Sequence, residues 1–184
     1  MAISTATTPG QILTSAYVNN NINSGMTYVT GASFSAVTEI LLDSVFTSTY
    51  RNYYLVFDCQ SSAGGSTFRW QVRSGGSTIS TATYNNQILI VTNTTMVPSS
   101  ATGETQIRIG ANDASGYHAM TMDIFCPQVA QPTRFISSFN RNNGASLENT
   151  YGANTNSTSY DGMRISVGAG TMTGSYTLYG YRNA

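Results

Sequence analysis

From residue 26 onward the chain alternates between polar and apolar positions. Thr67 to Arg73 does so without error, with Phe68, Trp70 and Val72 on one face and Arg69, Gln71 and Arg73 on the other, the period of a half-buried strand. Tyr53, Leu55, Phe57 and Cys59 share a face, and so do Met120, Met122, Ile124 and Cys126 in a strand that begins at Tyr117. Weaker alternation predicts strands over Glu39–Val45, Gln87–Thr92, Thr105–Gly110, Arg134–Asn140, Gly162–Val167 and Ser175–Arg182. Turn-forming clusters lie between them, at Ser61–Gly65, Ser74–Ser77, Asn112–Gly116 and Asn142–Gly144. Eight or nine such strands with no helical period among them predict an all-β fold. For a single core of this size we read an antiparallel, jelly-roll-like β-sandwich over residues 26–184. The stretch from Gly144 to Tyr160, rich in Asn, Thr and Ser, is predicted as a surface loop.

Residues 1–25 follow a different rule. Thr8-Pro9-Gly10 makes a turn, and Gln11 to Ser24 can form a short helix capped by Thr14 or Ser15, with Gly25 at its C-terminal side. Leu13 with Tyr17 and Val18 with Ile22 are i,i+4 pairs that draw one apolar stripe, and Ile12 adds to it. Four asparagines weaken the helix, and about ten residues are marginal alone in water. The segment is therefore either a frayed terminus or a docking leader, helical or extended, whose stripe another surface covers.

Composition narrows the function classes. The chain has 184 residues, of which 9% are charged, against roughly a quarter in an average globular chain. All eight basic residues are arginine and eight acidic residues cancel them. A formal net charge of zero excludes nucleic-acid binding through a strong basic field. No window is apolar enough for a membrane-spanning helix, so no membrane insertion by that route is expected. The first nine residues lack a basic and an apolar region of the Sec type, which predicts that Cys59 and Cys126 remain thiols.

Catalytic chemistry has little material. His118 is the single histidine and shares parity with Met120 and Met122, so it reads as a half-buried strand residue. Two cysteines and one histidine far apart lack the local ligand pairs of a zinc site, and no cofactor or metal is expected. Glu39 and Asp43 lie on one face of a strand, too far apart to couple directly. The chain is expected not to be an enzyme. Arg69 and Arg73 beside Gln71, together with Arg164, read either as a solvated face or as a subunit interface, where arginine is enriched and lysine depleted. Zero net charge favours association of copies. Tyr53, Tyr54, Tyr151, Tyr160, Tyr176, Tyr179 and Tyr181 are core, interface or sugar-stacking residues.

The opening Thr8-Pro9-Gly10-Gln11-Ile12-Leu13-Thr14-Ser15-Ala16-Tyr17-Val18-Asn19 resembles the leader of tail-fibre and minor structural proteins of tailed bacteriophages. The body segments Val45–Tyr53, Arg73–Ser77 and Tyr176–Asn183 extend that resemblance over nearly the whole chain. It implies a β-sandwich head, assembled as a homotrimer, with the leader attached to other virion proteins. The expected role is a short tail fibre or tail-tip protein of the virion contributing to host attachment, after assembly in the bacterial cytoplasm and release by lysis. The alternative is a capsid decoration protein, and a third reading is a free lectin-like protein. Tyr151 and Tyr160 mark the expected receptor loop, and a host cell-surface glycan is the expected partner there.

Overall fold

The computed structural model describes residues 25–141 and 146–182. Its strands are β1 (Met26–Val37), β2 (Glu39–Leu42), β3 (Asn52–Ser61), β4 (Ser66–Ser74), β5 (Ser77–Thr78), β6 (Tyr84–Thr92) and β7 (Thr95–Glu104). They continue as β8 (Ile107–Asn112), β9 (Tyr117–Phe125), β10 (Thr133–Arg141), β11 (Ser146–Asn154), β12 (Gly162–Val167) and β13 (Met172–Tyr181). One sheet has eight strands in the order β1-β13-β3-β9-β10-β11-β6-β7. The second runs β2-β12-β4-β5, with β8 also paired to β4. All the pairings are antiparallel.

The winding is that of a jelly roll. Four strands of each sheet, β1-β13-β3-β9 and β2-β12-β4-β8, form its frame. Within that frame successive strands alternate between the sheets, except that β4 and β8 are neighbours in one, so the chain wraps around its own core. Two insertions decorate the frame. β5–β7 enter between β4 and β8, and β10–β11 between β9 and β12. Strands β10, β11, β6 and β7 extend the large sheet beyond β9, so its far side overhangs the smaller sheet.

The core follows from the alternation. Phe68, Trp70 and Val72 of β4 face Leu55, Phe57, Met120, Met122 and Ile124 of the large sheet, all buried. Trp70 is fully enclosed, with its ring 4.9 Å from that of Phe135. The hairpin joining β4 to β5 turns on Gly75 and Gly76, both at positive φ, as a two-residue loop of the twist-matching kind requires.

Four strands escaped the sequence reading: β1, β5, β7 and β11. β1 and β7 are the two edges of the large sheet and bury little, so their alternation is faint. The predicted loop Gly144–Tyr160 is corrected, because Ser146–Asn154 forms β11, paired on both sides with β10 and β6. The leader residues Ile12, Leu13, Tyr17, Val18 and Ile22 and the Asn142–Gly144 turn lie outside the described residues.

Candidate functional site

The outward face of the large sheet has two distinct ends. At one, the backbone N–H of Arg182 donates to the carbonyl of Gly25 at 3.0 Å, so residues 1–24 join the body there. The same end carries tyrosines in one transverse row, since Tyr28 pairs with Tyr179 and Tyr179 with Tyr54. Tyr54 in turn sits opposite Asp123, whose carboxylate accepts from the Tyr181 hydroxyl. Burial and that carboxylate push the Tyr181 phenol well above its ordinary range.

At the opposite end, four to six residues and roughly 13–20 Å beyond Tyr54 along β3, the surface sinks into a cleft of about 530 Å³. Asp58 and Gln60 of β3, Tyr117 and Ala119 of β9, Asn140 of β10 and Thr173 and Gly174 of β13 line it. Register brings them together. Gln60 lies opposite both Tyr117 and Thr173, and Ala119 opposite both Asp58 and Asn140. The floor is low because Ala119 is small. A Cβ on Gly174 would stand 2.0 Å from the Asp58 carbonyl oxygen, so only glycine lets β13 approach β3 here.

The walls offer hydrogen bonds beside one aromatic face. The Tyr117 side chain is 63% exposed. Asp58 accepts from the Ser175 hydroxyl at 2.6 Å and retains its second oxygen. Gln60 lines the same wall and donates one amide N–H to the Ser115 carbonyl at 3.3 Å. An exposed ring flanked by carboxylate and amide groups suits a polyhydroxylated ligand, which stacks its C–H face and pairs its hydroxyls.

A buried polar cluster braces this end. His118 is 3% exposed and stacks on Phe139. The Ser61 hydroxyl donates to the Asp113 backbone carbonyl at 2.5 Å, so the His118 Nε2, 3.1 Å from the same oxygen, is the donor of that contact. Burial accordingly holds the imidazole below its ordinary pKa. The Asp113 carboxylate forms a bidentate pair with Arg141, at 2.7 and 2.5 Å, which lowers its pKa and raises that of the guanidinium. These contacts tie the β8–β9 turn to β3 and β10 and so fix the rim of the cleft. Cys59, beneath it, is buried and unpaired, and burial pushes its thiol up to about 12. Cys126 is likewise buried and free.

The sequence-predicted residues scatter. Tyr151 is 52% exposed on the outer face of β11, but Tyr160 is 2% exposed and belongs to the core, its hydroxyl donating to Asn154 Oδ1 at 3.0 Å. The paired receptor-loop assignment is therefore corrected. Arg73 is corrected as an outward interface residue: it is 5% exposed and its guanidinium is occupied by Asp43, Thr78 and the Gly76 carbonyl. Arg164 bonds Glu39 and Gln71 of its own sheet, each at 2.6 Å. Arg69 is half-buried, with Nε 3.3 Å from Thr67 Oγ1. Glu39 and Asp43 thus each serve an arginine rather than each other. Tyr117, Gln60, Asn140 and Thr173 were not singled out in sequence. The usable signal was their parity, opposite to the buried Cys59 and His118 at strand ends.

No family model and no curated protein matches the chain. Among solved structures it is similar to the galectin LEC-6 of Caenorhabditis elegans, with 12% identity and a TM-score of 0.36. That likeness covers 83% of this chain and 94% of the galectin.

Proposed function

We propose that this chain is a non-enzymatic structural protein of a tailed-phage virion, a short tail fibre or tail-tip component that acts as a homotrimer in host attachment. The observation that carries the proposal is the polarity of the molecule. Residues 1–24 join the sandwich at one end, while the Tyr117 cleft opens at the other. A segment held by the particle then presents the cleft outward, toward a host-surface glycan. The near absence of net charge supports assembly of copies, and the leader supplies an apolar stripe for the particle.

The test uses particles and the purified full chain. The chain should scatter light as a species of three times 19.7 kDa and compete with particles for host cells, and Tyr117→Ala should abolish that competition. Particles whose gene lacks residues 1–24 should assemble without this protein. A particle map showing hundreds of copies on the head would overturn the tail assignment in favour of capsid decoration. Undiminished competition by the Tyr117 variant would overturn the role of the cleft.

A further inference from the structure

The Tyr117 cleft continues past Tyr117. A second depression of about 280 Å³ adjoins it, and Gln60 and Thr173 line both. Strand register orders the combined groove into rungs. On the first, Ala119 lies opposite both Asp58 and Asn140. Two residues along β3, Gln60 lies between Tyr117 and Thr173. Two residues further in each chain segment come Ser62, Ser115 and Thr171, beyond the ends of the strands. At the rise of a strand the first and third rungs are roughly 13 Å apart.

The two halves differ in chemistry. Tyr117 gives the first an aromatic face, whereas Gln60, Ser61, Ser62, Ser115, Thr171 and Thr173 line the second, all hydroxyl or amide side chains. Two of those hydroxyls are held in place by the fold. Ser62 Oγ accepts from the Thr171 N–H at 2.8 Å and from the Thr171 hydroxyl at 3.1 Å. Thr173 Oγ1 accepts from the Ala36 N–H at 3.0 Å. Both residues are exposed, and a hydroxyl that accepts still has its own proton to donate. Charge is scarcer. Among the described residues Asp58 is the one ionic side chain lining either half. The other charges at this end, Asp113 and Arg141, are bound to each other.

These features select among ligands. A single sugar ring stacked on Tyr117 leaves the hydroxyl-lined half to water, whereas a chain of rings meets both halves. A uronate, sialate or phosphate group would bring its charge against Asp58 with no cation in the groove to receive it, and like charges in one site repel. An apolar ligand would cover the hydroxyls without giving them partners, which is costly. We infer that the ligand of this groove is a chain of uncharged sugars more than one unit long, stacked on Tyr117 and running along β3 to the Ser62 hydroxyl, and that Asp58 rejects acidic glycans. The inference rests on the reading of the Tyr117 cleft as a glycan site and adds to it a chain length, a direction and a charge rule.

The experiment applies the full chain to an array of bacterial surface glycans, neutral and acidic, from one to six units long. Neutral glycans of two or more units should bind and acidic ones should not. By calorimetry the best binder should be about tenfold tighter than its own terminal monosaccharide, the gain from two added hydrogen bonds. Asp58→Asn keeps an oxygen for the Ser175 hydroxyl and should gain binding of acidic glycans. Ser62→Trp should fill the second half and remove the tenfold advantage of length while leaving the monosaccharide unchanged. Should that variant fail to fold, the ranking by length and charge on the unaltered chain decides. Equal affinity for one unit and for several, binding of acidic glycans by the unaltered chain, or a length advantage that survives in Ser62→Trp would each overturn the inference. Tyr117→Ala separates this failure from that of the underlying reading. If glycans bind but Tyr117→Ala does not weaken them, or if none binds, the glycan site itself is overturned and the inference with it.

Discussion

Strands β9 and β11 have equal length and lie two places apart in one sheet, yet they bury opposite chemistry. β9 turns His118, Met120, Met122 and Ile124 inward against the small sheet. β11 turns Ser146, Glu148, Thr150 and Asn154 inward, while Leu147 and Tyr151 face out. The difference is one of position. β9 belongs to the jelly-roll frame, where the facing sheet is complete and an apolar interior is the cheapest filling. β11 belongs to the overhang, where the facing layer thins to β8 and Arg108 reaches across to Glu148. There the interior contains ion-pair and hydroxyl groups, such as the Arg108–Glu148 pair and the Thr150 hydroxyl, several without partners among the described residues. One sheet therefore contains a region made for stability and a region held open to polar chemistry.

Mutations sharpen that contrast. In the frame, Trp70→Ala should cost about 3–5 kcal/mol, the range for emptying a large buried aromatic, read as a fall in denaturant midpoint. In the overhang, Arg108→Leu should cost about 3 kcal/mol, because it strands the Glu148 carboxylate in a dry site. Pairing it with Glu148→Leu should recover most of the loss, and a double variant no better than the single would mean the charge is not what matters. A third test is pH. The folded imidazole of His118 sits below its ordinary 6.5, so below that pH the unfolded chain binds the proton more readily and the fold loses stability. Asp113, held below its ordinary 3.8 by Arg141, adds stability that is present above that value and disappears as pH falls beneath it. The denaturant midpoint should thus drop between pH 7.5 and 5, and His118→Phe should flatten that window.

Smaller effects discriminate more finely. Thr150→Val replaces a buried hydroxyl that has no partner among the described residues by a methyl group of the same shape. It should be neutral or stabilise by up to about 1 kcal/mol, whereas a clear loss would show that the hydroxyl is bonded in solution. Tyr117→Ala should change stability by less than about 0.5 kcal/mol, as an exposed side chain does. A larger loss would mark Tyr117 as structural and remove its role in the cleft.

The same contrast explains what could be read from residues alone. Alternation in β4, β9 and β12 reports burial between two complete layers, and the predicted start at Tyr117 and the predicted span Gly162–Val167 coincide with the strands. β11 alternates as regularly, but its polar residues point inward. A rule that equates inward with apolar therefore reads it as loop. Arg73 failed for a related reason: its parity is outward, but the β4–β5 hairpin and Asp43 close over it. The Tyr117 cleft was beyond reach because β3, β9, β10 and β13 contribute to it, strands that become neighbours through the jelly-roll winding and the β10–β11 insertion. Distance along the chain carries no trace of that adjacency.

One feature of the winding bears on how the protein is made. β13 follows every other strand of the described residues but sits between β1 and β3, so it is the keystone of the large sheet. On a translating ribosome, β1 and β3 emerge more than a hundred residues before the strand that joins them. Until it arrives, both present bare backbone edges, the surfaces that recruit stray strands. Chains truncated before residue 172 should therefore be the species that chaperones hold, and completion of the large sheet waits on β13.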